Sequence, residues 1–147
     1  MQKLIIFLII FFNFGNLFSN EEYFLTLRNE KVNLRQGPSF DYPVKIFYKK
    51  KYLPVLIQDS SNNFRKVRDH ENNSGWIHIS QLSKKKAAIV IDDEAYIFSN
   101  NTIYSKPLAI SKKGKLLLIK KCRKDWCKIS NKNLKGWISK NSLWGLY

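Results

Sequence analysis

The stretch Val32-Asn33-Leu34-Arg35-Gln36-Gly37-Pro38-Ser39-Phe40-Asp41-Tyr42-Pro43-Val44 decides how the rest of the chain is read. Val32 and Leu34 alternate with polar neighbours, as on a strand with one buried face. Gly37-Pro38 then marks a corner, and Tyr42 stands just before a second proline. Three readings compete for it: an active-site loop, a ligand clamp, or the opening of a small barrel. The chemistry elsewhere in the sequence chooses among them.

The first twenty of the 147 residues, MQKLIIFLIIFFNFGNLFSN, are set apart from the rest. Lys3 precedes an unbroken apolar run from Leu4 to Phe12, and a more polar stretch ends at Ser19. That is the layout of a secretory signal peptide, assigned to residues 1–19. The run is shorter than the roughly 20 apolar residues a membrane-spanning helix needs. Leu17 and Ser19 match the small-x-small cleavage preference only loosely, so anchoring through an uncleaved segment from Leu4 to Phe18 stays open. Either way the chain is expected to be exported.

The remainder is long enough for one ordinary domain or two very small ones. Aromatic residues at 14% and hydrophobic residues at 44% exclude a disordered chain. The net charge of +15 is uneven: residues 21–83 carry 10 Lys/Arg against 7 Asp/Glu, and residues 84–147 carry 15 against 4. Such a balance asks for an anionic neighbour. Export argues against nucleic acid and leaves wall polymers, acidic proteins or a weak contact with an anionic membrane surface. A general compositional bias competes with this, because Lys outnumbers Arg 21 to 5.

Only two cysteines occur, Cys122 and Cys127, in KKCRKDWCKI. In an oxidising compartment such a pair reads first as a disulfide. A tetrahedral zinc site would need further ligands that are not nearby, and a redox pair is more often C-x-x-C. No metal or cofactor is expected.

The mature chain is written in short apolar runs, among them Val44 to Tyr48, Tyr52 to Ile57, Phe64 to Val67, Trp76 to Ile79 and Leu116 to Ile119. None is long enough for a helix, so an all-β chain of small barrels is expected. An internal repeat supports this. A shift of 62 sets KKKYLPVLI (49–57) over KKGKLLLI (112–119) and Phe64-Arg65-Lys66-Val67 over Trp126-Cys127-Lys128-Ile129. One residue less sets Gly75-Trp76-Ile77 over Gly136-Trp137-Ile138. Lys84-Lys85-Lys86 is the natural seam. Because the first and fourth residues of Phe64–Val67 are both large and apolar, that strand should be bulged or bent. The glycines before the tryptophans leave room for close backbone approach. Trp76 and Trp137 should then lie across the barrel mouth while Ile77 and Ile138 enter the core. Trp144 should pack back as a plug.

The spaced pattern Val32-Asn33-Leu34-Arg35-x-Gly37-Pro38-Ser39-x-x-Tyr42-Pro43-Val44, with Gly75-Trp76-Ile77-His78 after it, resembles the bacterial SH3 (SH3b-like) domain. The second half, with Cys122-Arg123-x-x-Trp126-Cys127, Gly136-Trp137-Ile138 and Leu143-Trp144-Gly145-Leu146, resembles the divergent partner repeat of exported two-repeat SH3-domain proteins of Gram-negative bacteria. The resemblance implies two tandem five-stranded, partly open barrels, at 32–83 and 95–147. It also implies a periplasmic setting and a non-catalytic role in contact with peptidoglycan or protein partners. Two departures stand out. Lys51 occupies the turn position where the family usually has glycine, while Gly114 keeps it. The second repeat lacks the Arg-x-Gly-Pro corner, reading AYIFSNNTIYSKP from Ala95 to Pro107.

Enzyme chemistry finds little support. His70 and His78 are the only histidines, and a Cys–His pair needs a free thiolate. Asp41, Asp59, Asp69 and Glu71 all read as turn acids rather than a glycosidase pair. A binding module fits better: aromatic faces stack on sugars and peptide stems while Lys and Arg meet carboxylates. The candidates are Arg35, Tyr42, Tyr48 and Trp76 in the first repeat, and Tyr104, Trp126 and Trp137 in the second. The expected function is recognition of peptidoglycan or a cell-wall peptide. The alternative is a periplasmic protein–protein adaptor for an extended or acidic partner. Oligomeric state is left open.

Overall fold

The computed structural model describes residues 21–147; the expected signal segment, 1–19, lies outside the described residues. The first half runs β1 (Tyr23–Leu27), β2 (Val32–Arg35), β3 (Val44–Tyr48), β4 (Pro54–Ser61), β5 (Phe64–Arg68), β6 (Ser74–His78) and β7 (Leu82–Ser83). The second runs β8 (Ala87–Val90), β9 (Glu94–Phe98), β10 (Pro107–Lys112), β11 (Leu116–Arg123), β12 (Trp126–Asn131), β13 (Leu134–Ser139) and β14 (Leu143–Trp144). The sheets are ordered β3-β2-β6-β5-β4-β1-β7 and β10-β9-β13-β12-β11-β8-β14, which is one topology used twice. The described residues are all-β, as expected, and their only helical turns are 3-10 turns at Ile79–Gln81 and Lys140–Ser142.

Each unit has seven strands rather than five. The additions are an opening strand, β1 or β8, and a two-residue closing piece, β7 or β14, that pairs with it. The opening strands start at Tyr23 and Ala87. Neither opening strand alternates: β8 is a continuous apolar run, Ala87–Val90, and β1 reads Tyr-Phe-Leu-Thr-Leu. Every residue of β8 is buried, since its two faces meet two cores. Ala88 and Val90 enter the second core, while Ile89 joins the first. Pro54 to Ile57 of β4 are likewise all buried. A continuous apolar run is what a strand covered on both faces requires.

The first core gathers Leu27, Val32, Leu34, Val55, Val67 and Ile77, and the second Ile97, Leu117, Ile119, Ile129 and Ile138. Across the seam, the Phe24 ring meets Trp144 and Tyr147, each at 4.9 Å between centroids. Trp144 thus packs back onto the other barrel. The Thr26 hydroxyl donates to the Lys85 carbonyl at 2.8 Å, which ties the Lys84–Lys86 segment to β1.

Two local expectations are corrected. The bulge lies not in β5 but in its partner, between Ile57 and Asp59 of β4, and again between Ile119 and Lys121 of β11. Phe64 is buried without entering the core: it lies under Phe40 and His78 on the outer face. In β12 simple alternation holds, with Cys127 and Ile129 inward. The strained turn residue is Tyr52, at φ 64°, and not Lys51. Tyr52 is the residue that the repeat shift places on Gly114, at φ 79°, where a side chain is disfavoured.

Candidate ligand-binding face

The long loop between β2 and β3 is organised by Arg35. Its guanidinium Nη1 donates to the carbonyl oxygens of Phe40 (3.2 Å) and Tyr42 (2.8 Å). The same group lies 5.4 Å from the Phe40 ring centroid. Arg35 therefore caps the loop from within while its charge stays at the surface. Gln36 N–H donates to the Pro43 carbonyl at 3.1 Å and closes the loop base.

Gly37 is required by Tyr42. A Cβ added at Gly37 would sit 2.5 Å from the Tyr42 ring, so the aromatic plane rests directly on the glycine backbone. Tyr42 is still 47% exposed, with one face held and the rest open to solvent. Next to it, Phe40 contacts Phe64 at 5.2 Å and His78 at 5.1 Å. The His78 Nδ1 accepts from Ser80 N–H at 3.2 Å, which orients the ring and starts the 3-10 turn. Trp76 is in register with Arg35 because Gly75 lets β6 approach closely: a Cβ there would lie 2.6 Å from the Arg35 carbonyl. Arg35, Tyr42 and Trp76 thus belong to one face, together with Phe40, Phe64 and His78, which sequence reasoning missed. The signal for Phe64 was present, since it is the repeat partner of Trp126.

Tyr48 lies elsewhere. It is buried, and its hydroxyl donates to Asp69 Oδ2 at 2.8 Å. Burial, then the hydrogen bond to Asp69 and that carboxylate's charge, push the phenol well above its ordinary range. Asp69, a turn acid by its sequence context, is only 3% exposed. Its oxygens also accept from the backbone N–H groups of Glu71 and Asn73 and from Asn73 Nδ2. Tyr48 and Asp69 form one wall of a cleft of about 440 Å³ that Ile89 of the other barrel helps line.

In the second barrel Phe98 takes the place of Arg35. It is in register with Trp137, and a Cβ added at Gly136 would lie 2.8 Å from its carbonyl. Phe98 packs edge-on against Trp126 at 5.7 Å. Trp137 is only 8% exposed, with Lys128 Nζ 5.7 Å above its ring. Tyr104 is not part of this group; it stands in the 99–106 loop, 92% exposed. Cys122 and Cys127 are disulfide-bonded, opposite each other across the β11–β12 hairpin. Among the described residues, no group of three or more His, Cys, Asp or Glu side chains is placed to hold a metal.

The family described as bacterial SH3 domain matches this chain twice, at residues 28–84 and 92–145. No curated protein matches it. Among solved structures, NlpC2 from Trichomonas vaginalis is similar over 84% of this chain and 48% of its own, at 17% identity and TM-score 0.38. NlpC1 from the same organism covers 84% and 45%, at 16% identity and TM-score 0.38. An NlpC/P60 family protein from Bacillus cereus covers 82% and 55%, at 13% identity and TM-score 0.38. The chain spans about half the length of these structures. Likeness at that level bears on neither the site nor its chemistry.

Proposed function

The chain belongs to the bacterial SH3 domain family, and on that premise we propose that it is a non-catalytic, exported binding module of the cell envelope. Its ligand is peptidoglycan or a cell-wall peptide, held on the face built around the loop between β2 and β3. The observation that carries this reading is the exposed Tyr42 ring, fixed on Gly37 beside the Arg35 cation and Phe40. A pre-formed aromatic plane stacks on a sugar or an apolar side chain, and a neighbouring guanidinium meets a carboxylate. Little ordering remains to be done on binding.

A second reading, an adaptor for an extended peptide, is favoured by β3, which ends its sheet with Phe47 exposed. Co-sedimentation with purified peptidoglycan at low and moderate salt separates the two. Wall binding that survives salt and falls about tenfold with Tyr42→Ala, a loss of ~1.4 kcal/mol, supports the first. Absence of sedimentation at either salt leaves the adaptor.

A further inference from the structure

After Glu94 the sequence carries twelve Lys or Arg residues, from Lys106 to Lys140, against Asp125 alone. Glu94 itself is paired with Lys112. The β11–β12 register sets Lys121 opposite Lys128 and Arg123 opposite Trp126. Like charges directly opposite each other on a sheet are destabilising. The corresponding rung of the first barrel sets Asp59 opposite Lys66, so the topology does not demand the repulsion. Arg123, then local desolvation and the charges of Lys128 and Lys120, hold the Lys121 ammonium below the ordinary lysine range. The register thus gathers these cations on one exposed hairpin.

A second feature is tied to the same hairpin through Trp126. The 99–106 loop leaves β9 at Phe98, whose ring touches Trp126 at the start of β12, and returns at Pro107 opposite Phe98. Ile103, 65% exposed, and Tyr104 stand at its tip. The loop carrying these two exposed side chains is thus anchored on Trp126, the cross-strand partner of Arg123 in the hairpin that also bears Lys121 and Lys124, all three cations exposed.

We infer that this hairpin and loop of the second barrel dock on the surface of an anionic lipid bilayer, with Ile103 and Tyr104 entering the headgroup region and Lys121, Arg123 and Lys124 lying over the lipid phosphates. Interfacial binding combines buried apolar area with attraction to anionic headgroups, and the hairpin and loop offer both. A soluble acidic chain would be met by the cations alone and would leave the apolar tip in water. The site is separate from the face of the first barrel, so the wall-binding reading stands or falls independently.

The test is co-sedimentation of the full chain with vesicles of phosphatidylglycerol and phosphatidylcholine, against phosphatidylcholine alone. The apolar N-terminal segment is present in every sample, so the difference between the two vesicle types reads the barrel. The expected result is tighter binding to the anionic vesicles. Each of Lys121→Gln, Arg123→Gln and Lys124→Gln weakens it about fivefold. Ile103→Ser with Tyr104→Ser weakens it further even at moderate salt, where the charge contribution is screened. Lys121→Asp recreates the charge pairing of the first barrel: it should leave the fold at least as stable while lowering vesicle binding. Equal binding to both vesicle types overturns the inference. So does binding to soluble polyglutamate that matches the vesicles and ignores the Ile103 and Tyr104 substitutions, which would mark an acidic polymer as the partner.

Discussion

At the rung where Gly75 and Gly136 let a tryptophan strand approach its neighbour, the first barrel has Arg35 and the second has Phe98. The backbone is the same and the surface is opposite in kind. Arg35 reaches out to two loop carbonyls and holds a long loop with Tyr42 on show. Phe98 turns to Trp126 and covers its own sheet, and the loop that follows is left to project by itself. The same contrast runs through the interior. Tyr48 and Asp69 bind each other in the first barrel, whereas Asn131, the repeat partner of Asp69, accepts from the Leu118 N–H at 2.8 Å. Where the first hairpin has Ser60 opposite Arg65, the second has its disulfide. One repeat invests its loop in presenting a face; the other is stapled and charged.

The comparison breaks most visibly if the barrels turn out to be independent. Ile89→Ala, in a strand of the second barrel but packed in the first core, should cost about 3 kcal/mol. Amide exchange should rise in β2 and β6 as well as in β9 and β13. A rise confined to the second barrel would show that the seam carries no stability. Replacing Cys122 and Cys127 together by serine should cost about 2 kcal/mol by the chain-entropy estimate. Its signature is lost protection in the β11–β12 hairpin with the β4–β5 hairpin unchanged.

A smaller effect separates the two interiors. Tyr48→Phe should cost on the order of 1 kcal/mol, the usual net worth of one hydrogen bond. Because the folded-state value of Tyr48 is raised, the folded protein keeps a proton that the unfolded chain releases above about pH 10. Its contribution is complete below that pH and declines above it. Stability against denaturant at alkaline pH should therefore fall more steeply in the wild type than in Tyr48→Phe. Parallel curves would mean that Tyr48 and Asp69 do not set the alkaline limit.

Much of the fold was legible because its punctuation is local. The Gly-Trp-Ile steps, the Gly37-Pro38 corner and the short apolar runs each report their own few residues. What could not be read depends on partners far along the chain. Nothing near Asp69 says that Tyr48 will cover it, and its Asp-His-Glu-Asn-Asn context looks like any solvated turn. Phe40 fell on an unmatched position of the loop pattern, so its contact with Phe64 and His78 was invisible. The Ala87–Val90 run of β8 is visible as apolar, but burial on both faces erases the alternation that would say how it pairs, and Tyr23–Leu27 of β1 does not alternate either. Of the candidate residues, Arg35 and Tyr42 meet in the loop between β2 and β3, and Trp76 joins them through the β2–β6 register. Tyr48 and Tyr104 do not, since an exposed-looking tyrosine in a sequence carries no mark of which surface it will join.

The Lys84-Lys85-Lys86 seam has a further consequence. Where the connector of tandem modules is slack, a second contact is governed by how far the tether lets each module search. Here Thr26 grips the Lys85 carbonyl, the Ile119 N–H reaches the Lys86 carbonyl at 3.0 Å, and Phe24 is wedged against Trp144. The connector behaves as a weld. Whatever seizes the first barrel fixes the bearing of the second, so two targets are engaged together only when they stand at the angle the weld dictates. The molecule works as a set square rather than as two beads on a string.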